Sequence, residues 1–132
     1  AAGIDTARIA FWQADMTTEQ LPEDRYDLIV TLFFFDNFDA ATVRRVVPVL
    51  ERASTASAQW LLSDFQIPDS GWRRLRARIW LIILYAFFRC VAKIPARTVP
   101  PVEAILAATS FKQVARETYS AEMLYGTLYG RA

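Results

Sequence analysis

Three acids close three apolar stretches of this 132-residue chain. Arg8-Ile-Ala-Phe-Trp-Gln-Ala ends at Asp15. Tyr26-Asp-Leu-Ile-Val-Thr-Leu-Phe-Phe-Phe ends at Asp36, followed by Asn37. Gln59-Trp-Leu-Leu-Ser ends at Asp64, followed by Phe65. Each stretch reads as a strand. Any one such acid is read most simply as a cap for the turn or helix that follows. Three acids on one rim make a site-like arrangement. The chemistry open to that rim is narrowed by two absences. The sequence holds no histidine and one cysteine, Cys90. This excludes catalysis that needs imidazole, including Ser-His and Cys-His nucleophile pairs. It also excludes a disulfide framework and a Cys/His zinc site. Cys90 lies in an apolar stretch and is expected to be a small core residue. A reduced, cytoplasmic setting is the expectation.

The elements that would position these acids follow from hydropathy pattern. Ile9 to Ala14 reads as a short strand, and Met16 to Asp24, with Pro22, as a loop. Tyr26 to Leu32 is a continuous apolar run with the look of a strand covered on both faces. Asp39 is a plausible N-cap, with Val43, Val46, Val47 and Leu50 following at helical spacing. Pro48 inside that pattern is expected to kink the helix or end it early. Ala53 to Ala58 reads as a loop, and Gln59 to Phe65 as a third strand. Trp72 to Val91 is a long helix, basic in its first half and apolar in its second. Val102, Ile105, Leu106 and Thr109 give a short amphipathic helix. Phe111 to Tyr119 and Met123 to Tyr129 are two closing strands, expected to be antiparallel. Strands alternating with helices argue for an open α/β sheet. In such sheets ligands bind outside the carboxyl ends of the strands, which is where Asp15, Asp36, Asn37 and Asp64 fall.

Composition agrees with a single folded domain of residues 1–132: 54% apolar and 22% charged, with disorder not expected. Net charge is only +1, so the whole-molecule field does not point to nucleic acid. The charge is unevenly placed, because residues 70–102 carry seven bases and no acid. No secretory signal pattern opens the chain. It begins Ala1-Ala2-Gly3 without Met, and the expectation is a trimmed chain or a piece of a longer one.

The segments Phe11-Trp-Gln-Ala-Asp15, Tyr26-Asp-Leu-Ile-Val-Thr-Leu-Phe-Phe-Phe-Asp36, Trp60-Leu-Leu-Ser-Asp-Phe65 and Leu106-Ala-Ala-Thr-Ser-Phe111 carry a resemblance. In this order they resemble the second half of a class I S-adenosylmethionine-dependent methyltransferase. The resemblance implies a partial Rossmann-like α/β sheet, with equivalents of that family's strands 3 to 7, helices on its faces and an antiparallel closing pair. It implies S-adenosylmethionine as cofactor. Asp15, with the Met16 backbone, would meet the adenine ring, and Thr31, Leu32 and Phe33 the methionine end. Phe35, Asp36 and Asn37 would point towards the substrate, and Asp64 would face the same cleft. The sequence departs from the family in having no Gly-rich loop; its glycines are Gly3, Gly71, Gly126 and Gly130. The family's first two strands have no counterpart here. The expectation is therefore an amino-terminally truncated methyltransferase, poor at binding cofactor alone, with exposed sheet edges prone to self-association.

Methyl transfer is an in-line displacement in which the protein positions donor and acceptor. A base is needed only when the acceptor carries a proton at working pH. With no histidine, Asp36 and Asp64 are the candidates. The aromatic neighbours Phe33, Phe34 and Phe35 are expected to raise the Asp36 pKa by desolvation.

The Trp72–Val91 helix has three readings. It is a helix buried in its apolar half. It is a lid over a hydrophobic acceptor, with Trp72, Trp80 and Tyr85 lining the pocket, at a place where the family inserts substrate-specific elements. Or it lies at a membrane surface, arginines on anionic headgroups and Trp80 and Phe87 dipped in. Its uncharged part is too short to span a bilayer. Two functions remain open: methyl transfer to a small, hydrophobic acceptor, quinone-like or lipid-like, or a non-catalytic module binding a partner or a membrane surface through this helix.

Overall fold

The computed structural model describes residues 7, 9–67, 71–92, 99–119 and 124–131. Its strands are β1 (Tyr26–Leu32), β2 (Ser54–Phe65), β3 (Phe111–Tyr119) and β4 (Leu124–Arg131), and its helices α1 (Ala40–Ala53), α2 (Gly71–Ala92) and α3 (Val102–Leu106). One 3-10 turn, Phe35–Asn37, joins β1 to α1. The four strands form one sheet in the order β1-β2-β4-β3. β1 runs parallel to β2, and β4 is antiparallel to both of its neighbours. The two closing strands form the expected antiparallel pair.

Alternation along the strands sets one face against the helices. Ile29 lies opposite Trp60, and Trp60 opposite Tyr129. These residues pack with Leu62, Tyr125 and Phe111 against Val43, Val46, Val47 and Leu50 of α1 and Val102 and Leu106 of α3. A Trp60–Phe111 edge contact, centroids 5.4 Å apart, joins β2 to β3 across this face. The opposite face is bare, with Leu28, Val30 and Leu32 about half exposed and Leu61 37% exposed. β1 therefore has the composition of a doubly covered strand and is covered on one face.

Asp39 caps α1, its carboxylate accepting from the Thr42 N–H at 2.8 Å. The valine stripe then faces the core as its spacing predicts. Pro48 does not end the helix, which continues to Ala53. Proline removes one backbone hydrogen bond, but burial of Leu50 and Ala53 in the next turn holds the chain helical.

Two further expectations change. Ala53–Ala58 is not a loop, because β2 begins at Ser54 and runs 12 residues. Ser54 is held by its hydroxyl donating to the Leu50 carbonyl at 2.7 Å, and Thr55 donates to Asp27 on β1 at 2.8 Å. Pairing with a neighbour makes a strand of residues whose composition suits a turn. Conversely, residues 9–15 form no strand and are exposed, Phe11 at 96%. An extended segment becomes a strand only on a ladder, and these residues have no partner. The equivalent of the family's third strand is thus not formed.

The apolar half of α2 is not buried all round. Ala77, Leu81 and Tyr85, four residues apart, are its buried residues, while Ile82, Ile83, Phe87 and Val91 are more than half exposed. The stripe meets Phe65 and Val99. Cys90 is exposed rather than in the core.

Candidate functional site

β1 leaves the sheet through a constrained turn. Phe33 has φ +49°, a conformation that costs a bulky residue about 1–3 kcal/mol. Its N–H still donates to the Ser63 carbonyl on β2 at 2.8 Å, so the ladder extends one residue past the strand. Asn37 then ties the turn back on itself. Its Nδ2 donates to the carbonyls of Phe33 (2.9 Å) and Phe34 (3.1 Å) and to Asp36 Oδ1 (2.8 Å). The residue following the acid thus fixes where the acid points.

Asp64 comes up beside this turn from the end of β2. It is 1% exposed. Its Oδ1 accepts from the Phe65 N–H at 2.9 Å, and its Oδ2 has no hydrogen-bond partner. Burial, and then the charge of Asp36, push its pKa up to about 7; the N–H groups of Phe65, Asp36 and Phe35 oppose this. The last two lie near enough to favour the charged form without completing a bond to Oδ2. Burial also raises Asp36, against its own and Asn37's backbone N–H. The charge of Asp36 thus adds to burial in making Asp64 hold its proton more tightly.

A cavity of about 330 Å³ opens at this point, lined by Phe33, Asp36, Asn37, Phe65, Leu84, Tyr85 and Phe88. The Phe33 and Phe65 rings, 5.3 Å apart, join the β1 and β2 ends, and α2 supplies the opposite wall. Tyr85 is 8% exposed and its hydroxyl has no partner. Burial, with the charges of Asp36 and Asp64, raises its pKa. A second cavity of about 430 Å³ lies along β1, lined by Met16, Ile29, Val30, Thr31, Leu32, Phe34 and Leu50.

The sequence-predicted residues divide between these places. Phe33, Asp36, Asn37 and Tyr85 meet in the first cavity. Met16, Thr31 and Leu32 meet in the second, where the Thr31 hydroxyl accepts from Trp60 Nε1 at 2.9 Å. Phe35 lies fully inside the core, not in either cavity. Trp72 and Trp80 are 73% and 59% exposed and outside both. Asp15 is exposed and closes its own turn, Oδ1 accepting from the Thr17 N–H (2.9 Å) and hydroxyl (2.7 Å), which hold its pKa down. Phe65, Leu84 and Phe88 are lining residues the sequence reading missed. The spacing Leu81, Tyr85, Phe88 is a helical face and was the available signal.

No family model matches the sequence and no curated protein matches it. Solved structures do. An O-methyltransferase family 2 protein of Planctomyces limnophilus, solved with apigenin, is 16% identical with a TM-score of 0.68; the match covers 90% of this chain and 34% of that one. A SAM-dependent methyltransferase of Archaeoglobus fulgidus is 11% identical with a TM-score of 0.66, covering 94% of this chain and 68% of that one. An S-adenosylmethionine-dependent methyltransferase of Mesorhizobium loti is 18% identical with a TM-score of 0.65, covering 98% and 72%. The likeness, at 18% identity or less, is one of fold. The chain spans from about a third to about seven-tenths of the lengths of these three structures.

Proposed function

We propose that this region takes part in methyl transfer from S-adenosylmethionine to a small, hydrophobic acceptor, as the carboxyl-terminal portion of such an enzyme. One observation carries the reading. Two cavities flank the carboxyl end of β1, on a sheet whose solved counterparts are S-adenosylmethionine-dependent enzymes. One cavity is apolar and open beside Met16, and the other is aromatic with the Asp36 carboxyl group in its wall.

The residues present fit part of the cofactor. The Met16–Thr31–Leu32 cavity would take the flat adenine and the adjoining chain, with Asp15 near its mouth. The Gly-rich backbone approach is not among this chain's residues. The cofactor, when bound, supplies an electrophilic methyl on a sulfonium. The chain's own residues do the rest. Phe33, Phe65, Tyr85 and Phe88 exclude water and orient an apolar acceptor. Asp36 and Asp64 are the available proton acceptors, and their raised pKa values bring them closer to working pH. Asn37 is a positioning residue that holds the Asp36 carboxylate by one oxygen.

Ultraviolet crosslinking of labelled S-adenosylmethionine tests the reading. Label is expected on peptides containing Met16 or Thr31–Phe33, and unlabelled S-adenosylhomocysteine should displace it. Label spread evenly over the chain, or undisplaced, overturns it.

A second reading attaches to α2. Trp72, Trp80, Ile82, Ile83, Phe87 and Val91 are exposed on one helix that also carries five arginines and no acid. Among the described residues no helix is long and apolar enough to cross a membrane. Contact with an anionic membrane surface is the arrangement such a helix fits. Sedimentation with anionic vesicles that disappears at high salt supports this reading, and sedimentation indifferent to lipid charge removes it.

A further inference from the structure

The cavity under Tyr85 combines four aromatic rings with one carboxyl group, that of Asp36, and no base lines it. Two ion pairs lie away from it: Arg52 with Glu23 and Arg116 with Glu103. The arginines at 73, 74, 76 and 78 lie in the other half of α2, and exposed Arg89 is not a lining residue. An unpartnered group in the lining points to a ligand: the Tyr85 hydroxyl is buried and has no hydrogen-bond partner. A buried polar group without a partner is destabilising, and a ligand partner would offset that loss.

The chemistry selects the ligand class. A neutral hydrophobe would satisfy the rings and leave carboxylate and hydroxyl unmet. An anion would face Asp36. A cation on an apolar body satisfies everything present. Its charge meets the Asp36 carboxylate, its N–H groups have acceptors, and the ring faces attract it. We propose that this cavity binds a small protonated amine on an aryl or alkyl body, its ammonium held between the Asp36 carboxylate and the Tyr85 hydroxyl within the Phe33–Phe65–Phe88 walls. The proposal rests on the methyl-acceptor reading of the cavity and names the acceptor as an amine, whose ammonium would give one proton to the Asp36 carboxylate to free the nitrogen lone pair before methyl transfer. The binding itself requires no cofactor.

The test is a titration of the chain with 2-phenylethylamine, 2-phenylethanol and 3-phenylpropionate, followed by amide and aromatic NMR shifts. The amine is expected to bind at least about ten-fold more tightly than the alcohol, the acid not at all. Its shifts should centre on Phe33, Asn37, Tyr85 and Phe88. Asp36→Asn should abolish the preference for amine over alcohol, and Tyr85→Phe should weaken amine binding while keeping the site apolar. The wild-type comparison of the three probes stands even if a variant misfolds. Equal or tighter binding of the alcohol, no binding of any probe, or shifts elsewhere overturns the proposal. Amine binding without crosslinking of S-adenosylmethionine would keep the cation site and remove the methyl-transfer reading. Crosslinking without amine preference would do the reverse.

Discussion

Asp64 shows what burial does to a carboxyl group that nothing neutralises. In the unfolded chain it ionises near the ordinary aspartate value of 3.8, and in the fold at about 7. Between these values the folded state binds more protons than the unfolded one. Stability therefore falls as pH rises through this window, the reverse of a salt-bridged aspartate. Asp36 is shifted in the same direction. Denaturation midpoints of the wild type should decrease from pH 5 to pH 8, and those of Asp64→Asn should change much less. At pH 8 the variant should be the more stable by on the order of a few kcal/mol. A wild-type midpoint that rises over this range contradicts the assignment. Asn37 is tested separately. Its Nδ2 makes three contacts within the turn, so Asn37→Ala should destabilise by about 1–3 kcal/mol in chemical denaturation. No loss would mean that the strained Phe33 turn stands without it. Asp36 and Asn37 were legible in the sequence because a run of aromatics ending in an acid and an amide has no use as a plain core exit. Phe65, Leu84 and Phe88 were not, because they become neighbours only through where α2 docks.

At the scale of elements, periodicity located α1, whose buried valine stripe its own residues mark, and apolar runs located α2 and the closing strands, of which β4 buries alternate residues. It failed where a neighbour decides. Ser54 to Ala58 extends β2 although its small polar residues suit a turn, anchored on β1 by the Tyr26–Ser54 pair and the Thr55–Asp27 hydrogen bond before the register shifts. Residues 9–15 have the strand pattern and lack the ladder. Pro48 is the clearest local conflict, a helix breaker inside a helix held by its buried stripe. Pro48→Ala should therefore restore a backbone hydrogen bond and stabilise the chain by about 1–3 kcal/mol, read as a higher melting temperature. A lower one would mean that the ring's own packing outweighs the missing bond. The conflict is local and the fold overrides it, as tertiary burial commonly overrides propensity.

The whole molecule presents half of an open α/β arrangement. Helices cover one face, and Leu28, Val30, Leu32 and Leu61 stand exposed on the other. β1 sits at the edge of the sheet. An apolar face next to an edge strand favours self-association. The chain should show concentration-dependent sedimentation, and Val30→Lys with Leu32→Lys should shift it towards monomer with an unchanged far-ultraviolet spectrum. Sedimentation as a monomer at all concentrations would show that this face is stable in water. The bare face was hidden in the sequence, because β1 reads the same whether one side is covered or both.

The central claim is that the carboxyl end of β1 divides a cofactor cavity from an acceptor cavity. The direct measurement is a calorimetric titration with S-adenosylhomocysteine, performed on this chain and on the chain extended by any coding sequence that adjoins it. The account predicts binding that is stronger in the extended protein and lost when Thr31 and Leu32, which line the second cavity, are replaced by bulkier residues. Binding in neither protein would contradict it.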